Sequence, residues 1–284
     1  MSRALVGKFT RKLNEQGVAA ACADALRWLM FKLKASVGWE DQIQQRRLFI
    51  SKQLDERFGS RVKYGPFQGL KLSKVIWWGT TDRAGILLGL YEREVLATLA
   101  NVPAQYRRSF IELGAADGYY AVGVLANNMF ERSYCFEISE RGQKAIAENA
   151  ALNGVIGRID IHGIAEKDFH TVLPASALDN SVLLVDVEGA EFDILTAETF
   201  ARFARSIIII ELHDHFFPDA QQRLDRLRQA CAGTFHIAEL TTTGRDLSVF
   251  PELRQFSDTD RWLICSEGRR ALPHWYVLTP LADE

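Results

Sequence analysis

The chain has 284 residues, is 48% hydrophobic and 25% charged, and carries a formal net charge of −2. Those values are ordinary for a soluble globular enzyme, and the length suits one large domain with an appendage. Without a basic surplus, nucleic acid is not the expected partner, and no apolar run approaches the roughly 20 residues of a membrane span.

The first forty residues differ from the rest. Up to residue 38, Arg3, Lys8, Arg11, Lys12, Arg27, Lys32 and Lys34 face only Glu15 and Asp24. Between them, Ala19 to Leu33 has helical patterning. Residues 1–60 are read as an N-terminal helical arm. Such a basic helix packs on the body or on a second subunit in a homo-oligomer, or lies on an anionic membrane face. Residues 61–100 read as a hairpin around Gly65-Pro66 and Gly69, a loop holding Trp77 and Trp78, and a lead-in helix from about Leu87 to Ala100. Tyr91 and Glu92 stand where they could close over a ligand.

From Ser109 the pattern becomes regular. Strand-like runs fall at Ser109 to Leu113, Tyr134 to Ile138, Ile159 to Ile164, Val182 to Val187, Ile207 to Leu212, Phe235 to Leu240 and Trp262 to Ser266. Helical runs fill the first five gaps: Tyr119 to Asn128, Glu140 to Leu152, a short piece near Asp168, Glu191 to Ala204, and Ala220 to Cys231. This alternation predicts, over residues 101–284, a Rossmann-like α/β domain. Its mostly parallel seven-stranded sheet has helices on both faces and a reversed last strand at the edge. Cys22, Cys135, Cys231 and Cys265 have no metal or disulfide spacing and read as reduced residues of a cytoplasmic protein.

The first strand of this domain runs into Glu112-Leu113-Gly114-Ala115-Ala116-Asp117-Gly118-Tyr119-Tyr120. Its glycines allow a sharp turn and a close backbone approach to a ligand. Glu137, with Ile138 beside it, follows about 20 residues on, where an acid holds ribose hydroxyls. The spacing G-x-x-x-G lacks the second glycine that a pyrophosphate needs. Glu112 before the turn would repel a pyrophosphate but suit an ammonium or a sulfonium. S-adenosylmethionine therefore fits better than a dinucleotide. Ile164 and Ala165, after the third strand, stand where its adenine would lie, and His162 reads as a packing residue.

The run Val182-Leu183-Leu184-Val185 looks like a strand buried on both faces. It ends in Asp186-Val187-Glu188-Gly189-Ala190-Glu191, and buried acids are costly unless they are paired or do chemistry. Asp186 could take a proton, contact the cofactor's amino group or hold a metal. Glu188 could contact the cofactor or simply sit at a helix start. Glu211 and His213 end the fifth strand. His213 is a candidate general base that Asp214 could orient, and His215 lies one step further out. Asp186, Glu211 and His213 could together bind a divalent cation such as Mg²⁺. The loop Thr241 to Asp246, after the sixth strand, should border the acceptor. For His170, His236 and His274 a structural role is expected.

The Glu112 to Tyr120 turn, Glu137 and the Asp186 to Glu191 stretch resemble the FkbM-type family of class I S-adenosylmethionine-dependent methyltransferases. The likeness spans about residues 87–240 and takes in Gly89-Leu90-Tyr91-Glu92 and Glu211-Leu212-His213. It implies O-methylation, often of sugars in glycans, cell-surface polysaccharides or natural products. An Asp-Pro-Pro-aromatic motif for nitrogen acceptors is not present at the fourth strand. The family usually separates a Leu-Asp pair from its Asp-Val-Glu-Gly strand. Here Leu178-Asp179 lies almost against it, so the intervening, substrate-bordering loop is missing and acceptor identity does not carry over.

Overall fold

The computed structural model describes residues 39–74, 76–269 and 271–281. The basic arm expected over residues 1–38 lies outside them. The chain divides between Arg46 and Arg47. Of the first unit, only residues 39–46, at the start of helix α1 (Trp39–Phe58), are described. Among the described residues no helix is long and apolar enough to cross a membrane.

The second unit is built on one sheet of seven described strands, ordered β3-β2-β1-β4-β5-β7-β6. These are β1 (Ser109–Leu113), β2 (Arg132–Phe136), β3 (Ile159–His162), β4 (Val182–Val185), β5 (Ile207–Glu211), β6 (Phe235–Thr241) and β7 (His274–Pro280). The first five are parallel, and β7 runs antiparallel between β5 and β6. Strand alternation sorts the side chains into two cores. Phe110, Val182, Leu184, Ile207 and Ile209 fill one, and Ile111, Leu113, Leu183, Val185, Ile208 and Ile210 fill the other. Both faces are thus apolar, as the unbroken Val-Leu-Leu-Val and Ile-Ile-Ile-Ile runs require of central parallel strands.

The order reverses between β1 and β4. After β1 the chain winds outward through β2 and β3, then returns to β1's other side. Such a switch point opens a crevice at the carboxyl ends of the strands.

Several predicted elements are corrected. Trp262 to Ser266 is not a strand. It belongs to helix α9 (Asp258–Cys265), whose N-cap Ser257 accepts from Asp260 N and whose first turn carries Asp258 and Asp260. The cap and the acids were helix-start signals that the short apolar run masked. The reversed strand lies later, at His274–Pro280, and is interior rather than at the edge. The single lead-in helix is two, α2 (Arg83–Leu87) and α3 (Arg93–Ala100). Gly89 and Glu92 take left-handed backbone conformations between them (φ 66° and 43°). A Cβ on Gly89 would lie 2.4 Å from the Tyr64 carbonyl oxygen. The expected hairpin shrinks to one bridge, Arg61 to Lys71, with Phe67 turned into the core against Tyr119 and Tyr120. Glu191 to Ala204 breaks into α6 (Glu191–Ile194) and α7 (Ala197–Arg202), the latter opened by a Thr196–Thr199 capping box. Helices α4 (Tyr119–Ala126), α5 (Glu140–Leu152) and α8 (Ala220–Cys231) stand close to their predicted places. Near Asp168 the short helix is a 3₁₀ turn, Phe169–Val172. Cys135 and Cys231 are buried free thiols, and Cys265 is a partly buried one.

Candidate active site

Sheet register brings the site together. Leu113 pairs with Phe136 and Val185, and Val185 pairs with Ile210. The next residue on each strand is Glu137, Gly114, Asp186 or Glu211, so these four stand in one row across the switch point. Gly114 is needed there, because a Cβ would fall 1.7 Å from the Asp186 carbonyl oxygen and its φ is 85°. Ala116 and Glu188, on either side, hold positive φ values of 49° and 52°. Strained backbone of this kind collects at functional sites.

Two cavities meet at this row. The first, about 350 Å³, is lined by Gly114, Ala116, Glu137, Ile138, Ile164, Ala165, Asp186, Val187 and Glu188, with Trp77 and Trp78. Its walls are apolar, and Ile138 is 72% and Ile164 56% exposed. Glu137 is already fixed. One carboxylate oxygen accepts from Ala116 N and the other from Ser139 N, both at 2.8 Å. Gly142 makes room for it, since a Cβ there would lie 2.6 Å from Glu137 Cγ. Arg141 stacks over Trp77, 5.1 Å from the ring centre.

The second cavity, about 510 Å³, is lined by Asp82, Asp186, Glu188, Glu211, Glu267, His213, His215 and Arg269, with Trp78, Tyr91 and Phe216. Asp186, Glu188 and Trp78 belong to both cavities. His213 Nε2 lies 3.7 Å from Asp186 and 3.6 Å from Glu188. The fully buried Glu191 ties this corner together. Its carboxylate accepts from Gly189 N and from His213 N, both at 2.8 Å. It also lies 3.4 Å from His213 Nδ1. Arg269 donates to Glu92, Glu211 and Glu267, and Glu92 also accepts from Tyr120 Oη at 2.6 Å. Asp186 Oδ1 and Glu211 Oε2 are buried without a partner.

The crowded acids titrate high. Burial, then the charge of Glu92, pushes the Asp186 carboxyl up to about 7, against the pull of His213. Burial and the Asp186 charge hold Glu211 well above the ordinary carboxylate range. Burial works against charge on His213, but the hydrogen bond and charge of Glu191, with Asp186 and Glu188, outweigh it and raise its pKa. Such shifts mark sites that move protons or bind charge.

Residues 176–257 match the family model described as the methyltransferase FkbM domain. The match covers 82 of the 284 residues, from just before β4 to the N-cap of α9. No curated protein matches the chain. Among solved structures, an O-methyltransferase from Bacillus cereus in complex with SAH is 15% identical over 67% of this chain and 90% of its own, at a TM-score of 0.42. The O-methyltransferase TomG from Streptomyces achromogenes, in complex with SAM, is 15% identical over 82% and 89%, at 0.42. The B. subtilis tRNA methyltransferase TrmK is 11% identical over 64% and 63%, at 0.41. At this level of similarity the three decide nothing about the acceptor.

The row contains the residues read from the sequence only in part. Gly114, Glu137, Ile138, Ile164, Ala165, Asp186 and Glu188 line the apolar cavity, and Asp186, Glu188, Glu211 and His213 line the charged one. Glu112, Ala115, Asp117, Gly118 and Tyr119 line neither. Glu112 is buried in β1, with Oε2 unpartnered and its carboxyl raised, chiefly by burial. Ala115 N donates to the Phe136 carbonyl. Burial pushes Asp117 up to about 6, and its carbonyl accepts from Asn149. Gly118 caps α4 with φ 83°, and Tyr119 packs on Phe67. His162 stacks on Phe136 at 4.7 Å.

Two neighbour assignments are corrected. Asp214 does not orient His213; it pairs with His274 Nε2 at 2.8 Å, and Glu191 holds His213 instead. The Thr241 to Asp246 loop lines neither cavity, though Arg245 reaches Glu267 at the edge of the charged one (3.5 Å). Thr243 and Arg245 bind Glu94 on α3. Because β7 is inserted beside β5, the segment before it supplies Glu267, Arg269, Ala271 and Pro273 to the charged cavity. Arg269 is the main residue that sequence reading missed. It lies in a loop with no motif.

The cofactor's needs fit the apolar cavity: exposed apolar walls for a flat base, an anchored acid for ribose hydroxyls, and Asp186 and Glu188 for positive charge. A divalent cation fits poorly. Ligand atoms of Asp186, Glu211 and His213 lie within 4.8 Å of one another. However, the Arg269 guanidinium already bonds Glu211 Oε1. A ligating histidine must also be neutral, whereas these surroundings favour its cation.

Proposed function

We propose that the protein methylates a hydroxyl of a sugar, a glycan or another hydroxylated small molecule. The observation that carries this reading is that two carboxylates, Asp186 at the switch point and Glu188 beside it, line both cavities. A cofactor in the apolar cavity and an acceptor in the charged one would meet beside them. S-adenosylmethionine would supply, when bound, a methyl group carried on a sulfonium sulfur, leaving a neutral thioether.

The chain's own residues do the rest. Glu137 offers its remaining lone pairs to ribose hydroxyls, and Ile138, Ile164 and the two tryptophans cover an apolar ring. Asp186 and Glu188 face the positive end of the cofactor. The acceptor hydroxyl hydrogen-bonds to Asp186 Oδ1, which has no other partner. Asp186 would take up the hydroxyl proton as the acceptor oxygen is methylated. A carboxyl raised to about 7 is suited to that proton transfer near neutral pH. His213 steadies the Asp186 charge and is itself held by Glu191. Arg269, rather than a metal, supplies the counter-charge to Glu211.

Nucleic acid is not the acceptor in this reading. The second cavity is lined by five carboxylates (Asp82, Asp186, Glu188, Glu211 and Glu267), which repel phosphate. The free thiols suit the cytoplasm. The basic segment Arg3 to Lys34 suits an anionic membrane face where lipid-linked glycans are available. Co-sedimentation with anionic liposomes, with and without residues 1–38, tests that last point. The function itself is tested by calorimetry with S-adenosylmethionine and by S-adenosylhomocysteine release over a panel of hydroxylated acceptors. Failure to bind the cofactor, or turnover of amine or nucleic acid acceptors alone, overturns it.

A further inference from the structure

We infer that the acceptor carries a protonated amine near the hydroxyl that is methylated, an unsubstituted amino sugar being the simplest such molecule. This rests on the reading of the charged cavity as the acceptor's place.

The charge balance of that cavity is the first ground. Three carboxylates, Glu92, Glu211 and Glu267, converge on the single guanidinium of Arg269. Arg245 reaches Glu267 as well but is shared with Glu94, so two guanidiniums stand against four carboxyl groups. Asp186, Glu188 and Glu191 likewise face one imidazole, His213, so acids outnumber the base there too. A cleft lined by one sign of charge concentrates the opposite ion.

The second ground is an unmade bond. Glu211 is 3% exposed, lines the charged cavity, and its Oε2 accepts from nothing. A buried carboxylate oxygen without a donor is costly, so a bound molecule that brings donors is favoured. The cofactor's own positive groups do not meet this need. They belong with the apolar cavity, which Asp186 and Glu188 line and Glu211 does not. A metal is disfavoured by the Arg269 guanidinium on the same carboxylate. An ammonium brings three N–H donors and one charge. Trp78, Tyr91 and Phe216 stand around it, able to stack on a sugar face or hold a cation over a ring. A carboxylate-bound ammonium has no lone pair, so the methyl group goes to the neighbouring oxygen.

The test compares glucosamine, N-acetylglucosamine and glucose as acceptors for the full-length protein, by kcat/KM, with the methylated position read by NMR. The amine should be preferred at least tenfold over its N-acetyl form, with methyl on oxygen. Glu211→Gln should remove most of that preference, and Glu267→Gln should reduce it by a smaller factor. Because the readout is a ratio between acceptors, general damage to the enzyme cancels. Calorimetry with S-adenosylmethionine confirms that each variant is folded. The inference is overturned if the N-acetyl or neutral sugar is used equally well, or if the preference survives Glu211→Gln. It is also overturned if EDTA abolishes turnover and Mg²⁺ restores it, since those oxygens would then hold a cation. Neutral sugars turned over without amine preference sink this inference alone. Cofactor binding with no O-methylation of any acceptor sinks the hydroxyl reading as well.

Discussion

The two cavities that share Asp186 are made of opposite materials. The apolar one, along β1, β2 and β4, contains an acid whose needs the protein meets itself: Glu137 is bonded by two backbone N–H groups. In the charged one, beside β5 and β7, acids outnumber bases and two carboxylate oxygens, on Asp186 and Glu211, have no donor. A satisfied acid is a preorganised cradle, whereas an unsatisfied one waits for its ligand. One half therefore reads as fixed recognition of a constant cofactor, and the other as a place completed by what it binds.

Four substitutions and a pH series would break or sharpen that contrast. The largest effect is expected at a shared residue. Asp186→Asn should lower kcat/KM by roughly 10²–10⁴-fold, the usual worth of a positioned base. Cofactor affinity measured by calorimetry should change far less, and an unchanged turnover would remove Asp186 from the chemistry.

Arg269→Gln strikes the charged half alone. It leaves Glu92 and Glu211, both buried, without their counter-ion. Losing one partner of such a pair costs about 3–5 kcal/mol, to be read from denaturant unfolding. S-adenosylmethionine binding should persist, and its loss would show that the two halves are not separable.

Gly114→Ala strikes the seam between β1 and β4. The added methyl meets the Asp186 carbonyl oxygen and the backbone is left-handed. A loss of about 2 kcal/mol or more is expected, together with loss of cofactor binding. Glu137→Gln is milder. It should weaken cofactor binding about tenfold, on the order of 1.4 kcal/mol, and leave kcat at saturation near its original value.

Stability should also depend on pH. The folded chain keeps a proton on Asp186 up to about pH 7, while the unfolded carboxyl, with an ordinary value of 3.8, has released its own. Between those values the folded state binds more protons, so stability falls as pH rises. His213, also raised, acts in the same direction: its contribution is full below its ordinary value of 6.5 and lost above the raised one. Tm should drop between pH 5 and pH 8, and Asp186→Asn should flatten that slope. A Tm that rises over this range would show that the acids are screened.

Much of the cofactor half was legible in the sequence. Glycine spacing, the acid after β2 and the apolar run before Asp186 are local signals, and parallel register carries them into one row. Errors arose where short apolar runs compete with caps, as at Ser257 to Cys265, and where left-handed residues break a helix, as at Gly89 and Glu92. The charged half was half hidden. Glu211 and His213 could be named from the end of β5, but their partners Arg269, Glu92 and Glu191 come from distant segments.

By itself the sequence determined the parallel core, the turn after β1 and the acids at the strand ends, because each is written in neighbouring residues and fixed periodicities. Only the tertiary structure decided which acid is satisfied, which is left waiting and which cation stands between them. Those depend on β7 entering the sheet beside β5 and carrying the loop of Arg269 to the cleft, a long-range pairing that no local pattern records.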